Sequence, residues 1–179
     1  MVKSDKSISV RKILKFGGSS VATAERIQHV LQLVEKSQQE NESIAVVFSA
    51  FGGVTDTLIH IAQLACQHDE RYLDHLEKLE ERHLAILKTL VPAKDLKNEQ
   101  PLQQELQELR EILHGVYWVR DLTPRTLDFI QSFGERLSVA IITRAAQSKG
   151  LAAHMLDSRQ LVKTDAVFGN AVVLWNETI

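Results

Sequence analysis

An α/β fold on a mostly parallel sheet is the class this sequence predicts, and three features carry that expectation. Two strand–glycine pair–helix units, opening with "KILKFGGSS" and "SIAVVFSAFGG", fall within roughly the first seventy residues. The second strand is a continuous apolar run, as expected where both faces of a parallel strand are covered. A leucine-rich, glycine-poor stretch from 69 to 120 then carries helical rather than strand periodicity.

In chain order, Lys12 to Phe16 is short and apolar and leads directly into Gly17-Gly18. Thr23 is placed to cap a helix whose Ile27, Val30, Leu31 and Val34 recur at i, i+3, i+4, i+7. "KSQQENES" is a polar connection to the second strand, Ser43 to Ala50. After Gly52-Gly53 a second helix places Leu58, Ile61, Ala62 and Ala65 on one side. Leu73, Leu76, Leu84, Leu87 and Leu90 make one helical stripe, and "VPAKDLKNEQP" interrupts it. Leu102, Leu106, Leu109, Leu113 and Val116 make a second stripe, so 69–120 reads as an antiparallel helical hairpin inserted in the α/β domain. A long helix is predicted from about Thr126 to Ser148, with Pro124 in or just before its first turn and Gly150 just past its end. "AAHML", within Leu151 to Leu161, reads as a third sheet strand. The pattern at "FGNAVVLWNETI" has not closed, and the whole of 1–179 is expected to be the N-terminal part of a longer domain.

Composition narrows the function classes. A net charge of −2 with scattered Lys and Arg gives no basic stripe, which argues against nucleic acid as a partner. The apolar runs are too short to span a bilayer, which argues against a membrane. "MVKSDKSISVRK" lacks the apolar core of a secretory signal, so a cytoplasmic location is expected. Cys66, the single cysteine, excludes an internal disulfide, and its helical context "HIAQLACQH" predicts a buried, reduced thiol rather than a nucleophile.

Candidate chemistry gathers at the glycine turns, on the sheet edge where open α/β folds take their ligands. A phosphate oxygen needs donors at close range, and glycine lets backbone amides approach without a Cβ in the way. Lys15 precedes the first turn; on a buried strand its ammonium must reach the strand end or be held by an anion. Gly17-Gly18 therefore reads either as a phosphate cradle with Lys15 as clamp or as a tight structural turn. It matches neither the P-loop nor the dinucleotide pattern. At the second turn, Ser49 and Thr55 bracket Gly52-Gly53. Hydroxyls and helix-end amides there suit a carboxylate or phosphate; the plainer reading is that Thr55 is an N-cap.

In "SFGERLS" (132–138), Gly134 interrupts an otherwise good helix at a cost of about 1 kcal/mol relative to Ala, a mark of close backbone packing or ligand approach. Glu135 beside it either binds a cation such as a substrate ammonium or pairs with Arg136 or Arg144. His68, His75 and His83 read as solvated helix-surface residues, with only His68 and His75 sharing a helix face. With no H-E-x-x-H and one cysteine, no resident metal site is expected.

Taken in order, "KFGGSSVA", "VFSAFGGVTD", "SFGERLS" and "LDSRQLVKTDAVFGNA" resemble the motifs of aspartokinases, the aspartate kinase branch of the amino-acid kinases. "LTPRTLDFIQSFGERLS" is similar to the kinase portion of the fused aspartokinase–homoserine dehydrogenases. The resemblance runs from about Lys12 to Val172. It implies a three-layer α/β/α sandwich and transfer of the γ-phosphoryl group of ATP, with Mg²⁺, to the β-carboxylate of L-aspartate. The product, 4-phospho-L-aspartate, leads to lysine, threonine and methionine. By motif position, Lys15 would neutralise the transferring phosphoryl group, and Gly17, Gly18 and Ser19 would hold phosphate. Ser49 and Thr55 would hold aspartate, Glu135 would receive its α-ammonium, and Phe168 and Gly169 would shape the pocket.

The family's nucleotide-binding half and an arginine for the α-carboxylate would lie beyond residue 179. So would the regulatory domains through which such enzymes form homo-oligomers. The chain by itself is therefore expected to be inactive. The competing expectations are a glutamate-type amino-acid kinase, a non-catalytic amino-acid-binding module, and a scaffold built on the helical hairpin.

Overall fold

Lys12–Phe16 (β1) and Ile44–Phe48 (β2) pair in parallel, in register from Lys12 with Ile44 to Phe16 with Phe48. The computed structural model describes residues 11–40, 43–98 and 100–178, and among these residues the sheet has these two strands. Ala24–Glu40 (α1) makes the crossover between them. It begins where expected: the Arg26 amide donates to Thr23 Oγ1 at 3.4 Å and the Ile27 amide to the Thr23 carbonyl at 3.0 Å. Its buried stripe is Ala24, Ile27, Val30 and Leu31. Side chains alternate across a strand, so Ile13, Lys15 and Val47 share one sheet face. Ile13 is 71% exposed and Val47 48%, so that face is open.

Val54–Cys66 (α2) sits at the centre of the helical layer, with Leu58, Ile61, Ala62 and Ala65 buried. Arg71–Leu90 (α3) and Gln100–Val119 (α4) both pack on α2 and on Pro124–Ser148 (α5). The α4 stripe Leu102, Leu106, Leu109, Leu113 and Val116 is buried throughout. On α3 the buried set is Tyr72, Leu76, Leu79, His83, Ile86, Leu87 and Leu90, whereas Leu73 is 46% exposed and leaves the expected stripe. Tyr72 takes its place at the start of the helix, while Leu76, Leu87 and Leu90 are buried as expected and Leu84 is half-buried. Ala93–Asn98 forms a 3₁₀ turn between the two helices. Among the described residues no helix is long and apolar enough to cross a membrane.

α5 starts at Pro124, with Thr123 Oγ1 accepting the Thr126 amide at 3.1 Å, and Gly150 follows its end at φ 84°. Ala152 to Leu156, expected to be the third strand, is irregular. Leu151 and Ala153 touch the core, but Met155 is 37% and Leu156 66% exposed. The Ala153 carbonyl is taken by Gln147 Nε2 at 2.9 Å instead of by a ladder partner. Ser158–Leu161 (α6) follows, capped by Asp157. Cys66 is half-buried against the core rather than fully enclosed.

The histidines depart most from expectation. His83 is buried, with its ring stacked on Phe51 at 5.2 Å and its Nδ1–H on the Leu79 carbonyl at 2.7 Å. Burial holds its pKa down at about 4, so it is neutral. His68 lies in the turn between α2 and α3 at φ 58° and stacks on Tyr117, while His75 lies on α3 against His60. His68 and His75 thus do not share a helix.

Candidate functional site

The two glycine turns leave the sheet side by side, because the Ser49 amide donates to the Phe16 carbonyl at 3.1 Å just past the paired strand ends. Gly18 opens a 3₁₀ turn (Gly18–Val21) and presses on the second bend. A Cβ there would lie 2.8 Å from the Ala50 carbonyl oxygen and 3.7 Å from Gly52 Cα. Both neighbours are backbone, so only glycine fits. Gly53, at φ 79°, starts α2 without a side-chain cap. The Phe51 carbonyl accepts the Val54 amide at 2.9 Å, so the helix begins before Thr55. Thr55 is therefore inside the first turn and is not the N-cap; a left-handed glycine does that work.

α5 reaches the same place through three residues. A Cβ on Gly134 would lie 2.8 Å from the Ala50 Cβ, which identifies the mid-helix glycine as a close-packing position. Glu135 Oε1 accepts the Ala50 amide at 3.2 Å. Ser138 Oγ donates to the Ser49 carbonyl at 2.9 Å. The open choice for Glu135 is thereby resolved against both neighbouring arginines. Arg136 is buried on Glu105 and Glu108 and over the Phe133 ring, and Arg144 donates to the Asp95 carbonyl. An exposed carboxylate is thus held at the second glycine turn, one amide of which it accepts.

Lys15 is exposed at the fourth position of β1, opposite Val47. Gly17 and Ser19 are exposed, and the Ser19 carbonyl accepts Arg26 Nη1 at 2.5 Å. A cleft of about 530 Å³ opens beside this bend, with Phe16, Ser19, Ser20, Arg26, His29 and Leu33 in its walls. Ser49 and Thr55 are half-buried on either side of the second bend. Phe168 and Gly169 dock elsewhere on α5, near its start: the Gly169 amide donates to Asp128 Oδ2 at 2.7 Å, and Arg125 lies 5.7 Å from the Phe168 ring centroid.

Three participants escape the sequence reading. Arg82 on α3 donates from Nη2 to the Gly52 carbonyl at 2.9 Å and to the Ala22 carbonyl at 3.4 Å, tying the second bend to the segment after the first. Nothing in "EERHL" marks it. Ser138 lies one helical turn after Gly134, and that i+4 spacing is the signal that would have found it. Asp128, seven residues before Glu135, carries the same kind of signal.

These contacts define an α/β domain that gathers two glycine bends and a helix-borne carboxylate outside the carboxyl ends of parallel strands, where such sheets take ligands. Residues 10–176 match the Amino acid kinase family, and the chain belongs to it. Aspartokinase 1, chloroplastic, of Arabidopsis thaliana is 32% identical over 154 residues, covering 83% of this chain and 26% of that protein. The bifunctional aspartokinase/homoserine dehydrogenase 1, chloroplastic, of Zea mays is 28% identical over 159 residues, covering 88% of this chain and 17% of its own length. The crystal structure of E. coli aspartokinase III in complex with aspartate and ADP superposes with a TM-score of 0.77 at 22% identity, over 91% of this chain and 34% of that one. The fold is therefore the α/β amino-acid-kinase fold, and the chain spans about a third or less of these relatives.

Proposed function

We propose that this chain is the aspartate-handling, N-terminal part of an aspartokinase. The observation that carries the reading is the Glu135 carboxylate seated on the Ala50 amide, which joins the SFGERLS helix to both glycine bends in one cluster. In this reading Glu135 receives the substrate ammonium, and Ser49 and Thr55 hold aspartate with Phe168 and Gly169 as a wall. Lys15 and the amides of Gly17, Gly18 and Ser19 take the phosphates. A β-carboxylate oxygen attacks the γ-phosphorus, the bond to the β-phosphate oxygen breaks, and ADP leaves. Positioning and charge neutralisation dominate such a transfer. Bringing a carboxylate to a triphosphate sets like charges together, and a lysine with amide-lined bends offsets that repulsion. Mg²⁺, brought in with the triphosphate, would offset part of its charge beside Lys15 and the amides of the first bend.

The same reading makes 69–120 an insertion in the kinase domain and assigns the protein the first step toward lysine, threonine and methionine. Oligomerisation would fall to regulatory domains outside this chain, and the 179-residue chain by itself would not turn over. The test is ATP-dependent formation of 4-phospho-L-aspartate by the full-length protein, with L-glutamate as competitor substrate. Lys15→Ala should abolish turnover while leaving the folded state intact, since Lys15 is exposed. Faster turnover of glutamate would make this a glutamate-type kinase. Aspartate binding without turnover would make it an amino-acid-binding module, and an active Lys15→Ala protein would remove the lysine from the mechanism.

A further inference from the structure

One face of α5 holds two segments that are far apart in sequence. Asp128 and Glu135 are seven residues apart, two helical turns, which puts them on one side of the helix and about 10 Å apart along its axis. Glu135 holds the second glycine turn through the Ala50 amide. Asp128 holds the Phe168–Gly169 bend through the Gly169 amide, at 2.7 Å. Gly169 is at φ 82°, a backbone state that leaves its amide free to turn toward the helix and that a side chain would strain. Arg125, one turn before Asp128, seats its guanidinium 5.7 Å from the Phe168 ring centroid, so the bend is gripped through both its backbone and its side chain.

We infer that Asp128 is a positioning residue that fixes the length of the amino-acid pocket: it pins the Phe168–Gly169 wall at a set distance from Glu135. This rests on the aspartokinase reading above. If the substrate ammonium sits on Glu135, a wall pinned to the same helix limits how far the acceptor side chain extends. Aspartate and glutamate differ by one methylene, and a rigid pocket separates such pairs by roughly 10–200-fold. A wall released from α5 retreats, and the discrimination falls with it. Asp128 acts through Gly169 and touches no reacting atom in this account.

The experiment compares the full-length wild type with Asp128→Ala and Asp128→Asn, which keeps a carbonyl acceptor but loses the charge. Backbone hydrogen exchange at Gly169 reads the latch, and KM against kcat for aspartate and glutamate reads the pocket. Expected in Asp128→Ala are Gly169 exchange at least about tenfold faster and KM for aspartate up about tenfold at near-constant kcat. The aspartate-to-glutamate preference should collapse by a similar factor, with Asp128→Asn intermediate in all three. Unchanged Gly169 exchange overturns the latch. Faster exchange with unaltered KM and unaltered preference overturns the positioning role alone. A wild type that phosphorylates neither amino acid overturns the functional reading, and the pocket-length role with it, while the exchange data still report whether Asp128 holds the bend.

Discussion

Gly134→Ala pits helix propensity against packing, and the geometry decides which wins. In an exposed helix the substitution stabilises by about 1 kcal/mol. At position 134 the new methyl would sit 2.8 Å from Ala50 Cβ, with Leu58 Cδ1 and Val54 Cγ1 at 3.6 Å. Carbon atoms make contact near 3.5–4.0 Å, so α5 must withdraw by about 1 Å. Overpacking of this kind costs roughly 1–3 kcal/mol, and the 3.2 Å bond from Ala50 to Glu135 stretches beyond hydrogen-bonding range. The net expectation is a loss of about 1–2 kcal/mol. Gly115 on α4 provides the matched control: it is exposed, nothing lies within 4 Å of its Cβ position, and Gly115→Ala should gain up to about 1 kcal/mol. For a chain of this size, each kcal/mol moves Tm by about 2–4 °C. Urea unfolding and thermal scans on both variants measure the contrast. Equal stabilisation of the two would show that Gly134 makes no packing contact with the second bend and would remove the structural reason for a glycine in SFGERLS.

Arg82→Ala should destabilise by about 2 kcal/mol, the scale of a hydrogen bond from a charged donor, and Arg82→Lys should recover only part of it; denaturant midpoints measure both. His83 has a folded-state pKa of about 4 against about 6.5 unfolded, so the unfolded chain takes up the proton first. Its contribution is complete above about pH 6.5 and declines toward pH 4 by up to about 3 kcal/mol, and His83→Leu should flatten the decline in urea midpoints across that window. Arg136→Ala strands a carboxylate whose pKa burial already raises, Glu105, and should cost about 3 kcal/mol at pH 7. Burial raises the Glu105 pKa, so the penalty should shrink as pH falls and Glu105 takes up a proton, as unfolding curves run in parallel at pH 7 and at lower pH would report.

Local patterns in the sequence determine most of this architecture. Both strands, the four long helices after them and the start of α1 follow from periodicity and capping, and Pro124 and Gly150 mark the ends of α5. Errors arise where tertiary context overrides a local pattern. "AAHML" has strand composition, but only Ala153 of it packs on the core, Met155 and Leu156 are exposed, and Gln147 occupies a carbonyl that a ladder would need. Thr55 has the chemistry of a cap, yet Gly53 adopts a φ that starts the helix two residues earlier. His83 has the side-chain type of a surface residue, yet it stands four residues after Leu79 and four before Leu87 on the buried face of α3, where the Phe51 ring gives its imidazole an apolar place to stack.

For the site the division runs along chain distance. Residues adjacent to the glycine bends were legible because their chemistry depends on the backbone next to them: Gly18 must be glycine because Ala50 and Gly52 press on it, and Lys15 precedes the bend. Residues that brace the site from 30 to 90 positions away were not. Arg82 is one charged residue among several on α3, and only the fold brings it to the Gly52 carbonyl. Glu135 was ambiguous for the same reason, since an acid beside arginines always offers a local ion pair. What separates the alternatives is the adjacent Gly134. A missing Cβ lets α5 approach Ala50 closely enough for the next side chain to reach its amide, so the glycine and the glutamate form one device. The costly residue in the helix is therefore the best sequence pointer to the candidate residue beside it, and a bulky residue at 134 should lift the Glu135 carboxylate off the Ala50 amide without altering its chemistry.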